Sequence, residues 1–356
     1  MSFHKKALYT DMTQNYLTPV EPMSHTRVKV RFRTGRGNVD RVTICYNGQK
    51  AIMRKDSFDD MFDYYAYHIR LTDEPLYYHF EVEAEDESCY YNRLGISKSE
   101  EARYDFILVP GFATPDWAKG AVVYQIYVDR FYNGDSSNDV VNDEYFYQGR
   151  PVKHAGHWND PVSRTDEGTF YGGDLQGIID KMDYLEGLGV EVLYLNPIFV
   201  SPSSHKYDIQ DYDYIDPHYG KIVVDEGELL QPGDRNNQHA SRYITRVTDK
   251  RNLEASNELF ATLVKEAHQR GIRVILDGVF NHCGSFNKWL DREKIYRSEA
   301  GYEPGAYISK DSPYNDFFQF HDQNAWPDNG SYDGWWGHDT LPKLNYEDSD
   351  TLHDYI

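Results

Sequence analysis

EASNELFATLVKEAHQRG, residues 254–271, runs directly into IRVILDGVFNH, residues 272–282, and this junction decides how the second half of the chain folds. The first block is amphipathic at helical spacing and meets Gly271, a residue suited to ending a helix. The second is a short apolar strand closing on Asp277, Asn281 and His282. Two similar runs lie upstream. GAVVYQIYVDRF, residues 120–131, is continuously apolar, as in a parallel strand buried on both faces, and VEVLYLNPIF, residues 190–199, repeats the pattern. Between them Leu175, Ile178, Ile179, Met182 and Leu185 recur at helical spacing behind Asp174, a suitable N-cap. Strand and helix therefore alternate, which predicts a parallel sheet with helical cover.

Before residue 110 the period is two. In RVKVRFR, residues 27–33, Val28, Val30 and Phe32 alternate with Arg27, Lys29, Arg31 and Arg33. VDRVTICY, residues 39–46, continues the alternation into Asn47-Gly48, a hairpin signal, and LYYHFEVEAE and RYDFILVP add further strands. The prediction is a small antiparallel sandwich over residues 1–110, with PGFATPDW supplying a linker at 111–116. Two stretches, Gly220 to about Leu253 and Cys283 to about Thr340, are too long for simple connections and are expected on the ligand-facing side. The second carries Trp289, Trp326, Trp335 and Trp336, enough to pack as a small subdomain.

The formal charge of −21 argues against a nucleic-acid or anionic-membrane partner. Cys45, Cys89 and Cys283 are odd in number and widely spread, which predicts reduced thiols, and the start MSFHKKALYTDM has no apolar leader. A cytoplasmic location is expected. The abundant aromatics, 31 Tyr, 17 Phe and 6 Trp, suit either a surface that stacks on rings or β-domain packing.

In a parallel βα barrel, the C-terminal ends of the strands line the active site. Asp277, Asn281 and His282 can hold sugar hydroxyls there, or can equally be a turn-capping acid and a core imidazole. His205, Tyr207 and Asp208 fall beyond the second strand, where a tyrosine can cover the apolar face of a pyranose or simply pack. After the first strand, NGDSSND places Asn133, Asp135, Asn138 and Asp139 in one loop of hard oxygen donors, suited to calcium or to turn-making.

VYQIYVDRFYNGDSSND, FYGGDLQGI, GVEVLYLNPIFVSPSSHKYD, DGVFNH and LPKLN, taken as an ordered set, resemble the α-amylase family, glycoside hydrolase family 13. LPKLN, with Leu341 in a methionine's place, is similar to the MPKLN segment of its neopullulanase, cyclomaltodextrinase and maltogenic amylase subfamily. The resemblance implies a multi-domain β plus α/β protein, a starch-binding-type sandwich followed by the first three βα units of a (β/α)8 TIM barrel. The barrel part would span 117–282, an inserted domain B 283–345 and the start of the next helix 346–356. It implies that Tyr207 stacks on a glucose, that His282 and His205 bind it, and that Asp277 and Asn281 are structural in the active site. It implies a structural calcium held by Asn133, Asp135, Asn138, Asp139, Gly172 and Asp174. In many α-amylases the residue equivalent to Asn281 is a calcium ligand, but the NGD loop points to this subfamily's different site.

The implied activity is retaining hydrolysis of α-1,4 and α-1,6 glucosidic bonds in maltooligosaccharides, cyclodextrins or pullulan, by a homodimeric parent. Retention needs two carboxyl groups about 5–5.5 Å apart. In this family they come from the fourth and fifth strands, so the nucleophile and acid/base are expected beyond Ile356 and the 356 residues alone are expected to be inactive. Two rivals are a carbohydrate-binding protein without catalysis and a metal-dependent barrel hydrolase using Asp277, His282 and His205.

Overall fold

The computed structural model describes residues 3–162, 167–321, 326 and 331–356. The chain forms two compact units that divide between Gly120 and Ala121. The segment expected as a linker at 111–116 sits with the first unit, where Gly111 N donates to Pro22 O at 2.9 Å and Thr114 N to Glu21 at 2.8 Å.

The first unit is an antiparallel β-sandwich. One sheet orders Leu17–Thr18, Arg27–Gly35, Phe62–Arg70 and Arg54–Phe58; the other runs Gln49–Ile52, Arg41–Tyr46, Leu76–Ala84, Glu87–Asn92 and Gly95–Ser97, with Phe106–Leu108 also paired to Leu76–Ala84. The period-two pattern is the cause. On Arg27–Gly35 the apolar Val28, Val30 and Phe32 are fully buried while their charged neighbours face outward. They meet Val42, Ile44, Tyr78, Phe80 and Val82 from the facing sheet. Asn47 (φ +43°) and Gly48 (φ +76°) turn the hairpin, the two positive φ values that a type I′ turn demands.

The second unit is built on a three-stranded parallel sheet in sequence order, Val123–Ile126, Val192–Leu195 and Arg273–Leu276. Its helical cover is Leu175–Asp180, Met182–Gly187 and Lys250–Gln269. The first predicted helix is broken at Lys181, whose ψ of 9° leaves the helical region, yet Leu175, Ile178, Met182 and Leu185 still fill one core with Leu193, Leu195 and Leu263. Asp174 caps it by accepting from Gly177 N. The long helix starts four residues before the expected block because Asp249 accepts from Arg251 N as its cap.

The two long stretches contain little regular structure. The first holds a helix at Ser241–Thr248 and the second packs Trp289, Leu290, Phe317, Phe318 and Tyr332 around Cys283. Residues 322–325 and 327–330 of the expected domain B lie outside the described residues. Helix Asp350–Tyr355, capped by Ser349, ends the chain. All three cysteines are buried and unpaired, and among the described residues no helix is long and apolar enough to cross a membrane.

Candidate active site at the strand ends

Leu195 O accepts from Asp277 N and Ile126 O from Asn196 N, so Tyr127, Asn196 and Asp277 stand level where the three strands end. Tyr207, from the segment after the second strand, donates its hydroxyl to Asp277 Oδ2 at 2.6 Å. His282 joins the same group through the Tyr207 backbone carbonyl, 3.0 Å from its Nε2. A carbonyl can only accept, so Nε2 carries the proton; Nδ1 is then free to accept from the Asn281 amide beside it. Burial lowers the His282 pKa, which keeps this neutral tautomer at neutral pH. A hydroxyl brought to His282 would therefore compete with Tyr207 O for the hydrogen bond that Nε2–H donates.

His205 completes the cluster. Its Nδ1 accepts from Tyr207 N at 3.0 Å and its Nε2 lies 3.5 Å from Glu167. Burial opposes charge on this ring, but Glu167 and Asp208 outweigh it and raise its pKa. Tyr207 itself is pushed to a higher pKa by burial and by its bond to Asp277, so its hydroxyl stays protonated. Tyr207, His205, His282, Asp277 and Asn281 are thus brought together in one cluster. Asp208 also lies here, but both of its oxygens are taken, by Tyr147 OH at 2.7 Å and by Ser203 Oγ.

Sequence reasoning missed what holds this segment. Lys206 sits at φ +59° with a fully buried ammonium, which donates to Asp216 Oδ2 at 2.7 Å and to Ser201 O at 3.0 Å. The chain continues through His218, bonded to Asp216 at 2.9 Å and Glu144 at 2.7 Å, to Arg246, 2.9 Å from Glu144. An unpaired ammonium would be costly here, and the pairing fixes both neighbours of Lys206, His205 and Tyr207. No local spacing signals it, because its members are scattered from Glu144 to Arg246.

LPKLN also finds its place. Cys283 N donates to Pro342 O, Leu344 N to Asn281 O and Ser285 N to Thr340 O, which lays the motif along the end of the third strand. Trp335 N donates to Leu341 O, and the Trp335 ring stacks on His282 with centroids 4.8 Å apart.

The NGDSSND loop packs on FYGGDLQGI so tightly that a Cβ on Gly134 would lie 2.4 Å from Gly177 N. Asp174 accepts from Gly134 N, Asp135 N and Asn138 Nδ2 as well as from its own helix. Asn133 Nδ2 donates to Asp139 Oδ1 at 2.8 Å, and a Cβ on Gly172 (φ +82°) would fall 2.3 Å from that same oxygen. The Asp135 carboxylate is turned away to cap Ser137. Asn138 Oδ1 is buried with no hydrogen-bond partner, and burial beside Asp174 and Asp129 pushes Asp139 up to about 6 against the pull of His154. Among the described residues no three His, Cys, Asp or Glu side chains gather as a metal-binding group.

A parallel βα sheet that gathers a tyrosine, a carboxylate and imidazoles at its C-terminal end has them where a βα barrel builds its active site. Residues 1–109 match the alpha amylase N-terminal ig-like domain, and residues 125–230 and 254–352 match the alpha amylase catalytic domain. The chain belongs to the α-amylase family. It is similar to neopullulanase 2 of Thermoactinomyces vulgaris, 34% identical over 82% of this chain and 44% of that one. Amylopullulanase of Thermoanaerobacterium saccharolyticum is 38% identical over 65% of this chain and 16% of its own. Among solved structures, the type III pullulan hydrolase from Thermococcus kodakarensis aligns with a TM-score of 0.55 at 28% identity, covering 98% of this chain and 52% of that one. The chain thus spans about half or less of these relatives' lengths. Its second unit comprises the first three βα units of the family's TIM barrel.

Proposed function

We propose that the chain carries the sugar-binding side of an α-glucan glycosidase active site, one that cleaves α-1,4 and α-1,6 bonds of maltooligosaccharides, cyclodextrins or pullulan with net retention. The observation that carries this reading is the Tyr207–Asp277–His282 cluster at the strand ends, with the tyrosine fixed by its hydroxyl and its backbone. A ring held in this way offers a preset face to a pyranose, so little ordering is lost on binding. The two aspartates of the cluster, Asp208 and Asp277, are engaged as acceptors by Tyr147 and Tyr207, and we assign them positioning roles. Residues 1–356 by themselves therefore bind glucan without turning it over, and hydrolysis belongs to a chain that adds two further carboxylates. Calorimetric titration with maltotetraose tests this: saturable binding that Tyr207→Ala weakens is expected, and binding indifferent to Tyr207→Ala rejects it.

Structural calcium is part of the proposal. The unpartnered Asn138 Oδ1, the crowded Asp139 carboxylate and the closeness of Gly172 to Asp139 and Asn133 fit a hard divalent cation, which would take oxygens from Asn133, Asn138, Asp139 and the Gly172 carbonyl. Asp174 supports the loop through its backbone bonds, and Asp135 would reach the cation only by leaving Ser137. Calcium bound there would tie the first strand's loop to the first helix. We also propose a homodimeric parent in the cytoplasm, in keeping with an N-terminal sandwich and three free thiols.

A further inference from the structure

Trp336 is the most exposed large apolar side chain described, at 82% against 69% or less for every other, and it also has a left-handed backbone, φ +51° and ψ 26°. Either feature alone is uncommon for a tryptophan, because exposure gives up its burial and a bulky residue resists positive φ. Held strain of this kind collects where a side chain must be presented to something. The backbone around it is fixed: Trp335 N donates to Leu341 O, Gly337 N to Gly334 O and Leu341 N to His338 O. Gly334 has no room for a Cβ, which would lie 2.1 Å from His338 O. The turn therefore presents Trp336 rigidly.

Its ring is stacked on Trp335 at 4.5 Å and 9°, and Trp335 in turn is stacked on His282 at 4.8 Å and 25°. A continuous series of flat faces thus leads from the imidazole that braces Tyr207 out to a solvent-facing indole. We propose that Trp336 is a second sugar-stacking station, which takes a pyranose ring of the same glucan whose other residue lies at Tyr207. This rests on the glucan-binding reading of the Tyr207 cluster and adds a length requirement. One ring cannot occupy both stations, whereas an oligosaccharide of several units can. Neutral rings with apolar C–H faces suit the station, because the indole offers a flat apolar surface and its neighbours Trp335 and Gly337 add no charge.

The test uses residues 1–356 and measures affinity for methyl α-glucoside and for maltotetraose, in the wild type, Trp336→Ala, Trp336→Gly and Tyr207→Ala. Trp336→Gly accepts the positive φ without strain, so it guards against a folding artefact in the alanine variant. Both Trp336 variants are expected to weaken maltotetraose about tenfold, as loss of one covered aromatic face would, while leaving methyl α-glucoside unchanged. Tyr207→Ala should weaken both ligands. If Tyr207→Ala weakens maltotetraose and the Trp336 variants do not, the station is rejected and the Tyr207 reading stands. If Tyr207→Ala changes neither ligand, the underlying reading fails, and the station fails with it.

Discussion

Tyr207 Oη stands 2.6 Å from Asp277 Oδ2, a bond that joins the segment after the second parallel strand to the end of the third. Tyr207→Phe takes this donor away from a half-buried carboxylate. The expected cost is about 1–2 kcal/mol of stability and a loss of glucan affinity smaller than that of Tyr207→Ala, because the ring face remains. Chemical denaturation alongside calorimetric titration separates the two effects.

The sandwich should fold by itself, since Val28, Val30, Phe32, Ile44 and Phe80 form a core within the first unit. A polypeptide of residues 1–120 is expected to melt cooperatively. Phe32→Ala, at a site with no exposure, should cost about 3–5 kcal/mol. Circular dichroism melts of the 1–120 polypeptide and of its Phe32→Ala variant are the measurement.

His218 lies between Asp216 and Glu144; burial opposes its charge, but Glu144 and Asp216 prevail and raise its pKa. A raised histidine stabilises the fold fully below its unfolded value of about 6.5, and that contribution fades as pH rises through the folded value. The two carboxylates are depressed despite burial, by Lys206 and His218 at Asp216 and by His218 and Arg246 at Glu144, so their contribution is lost only as pH falls through their lowered values. The melting temperature should therefore decline above about pH 6.5, where the histidine of the unfolded chain gives up its proton while folded His218 still holds it. His218→Gln should lower stability by about 3 kcal/mol and flatten that alkaline decline. An equally steep decline in the variant would remove His218 from the account.

Calcium at the NGDSSND loop should raise the stability of residues 1–356 by about 2.7 kcal/mol at a hundredfold excess over its dissociation constant. Gly172→Ala, whose Cβ would collide with Asp139 and Asn133 at positive φ, should abolish the response and destabilise the protein without metal. Thermal melts with calcium and with chelator check this. An equal calcium response in both proteins places the ion elsewhere.

Much of this was legible in the sequence because local rules carried it. The alternation in RVKVRFR, the Asn47-Gly48 turn, the Asp174 cap and the apolar run of Ile272–Leu276 each encode their element within a few residues. That Tyr207, Asp277 and His282 lie at the strand ends is legible for the same reason, since strand ends can be read from the strands. What stayed hidden depends on distant partners. Nothing near Lys206 announces Asp216, His218 and Glu144, and nothing near Trp336 announces the ring series to His282. The start of the long helix was misplaced because its cap, Asp249, lies outside the apolar pattern.

The most direct test of the central claim is hydrogen–deuterium exchange of residues 1–356 with and without maltotetraose. Binding at the proposed site predicts slowed exchange in residues 203–208, 277–284 and 334–341, with the sandwich core strands Arg27–Gly35 and Leu76–Ala84 unchanged. Tyr207→Ala should erase that protection. Protection confined to the first unit, or none in 203–208 and 277–284 at saturating sugar, would contradict the claim that the strand ends of the second unit form a glucan site.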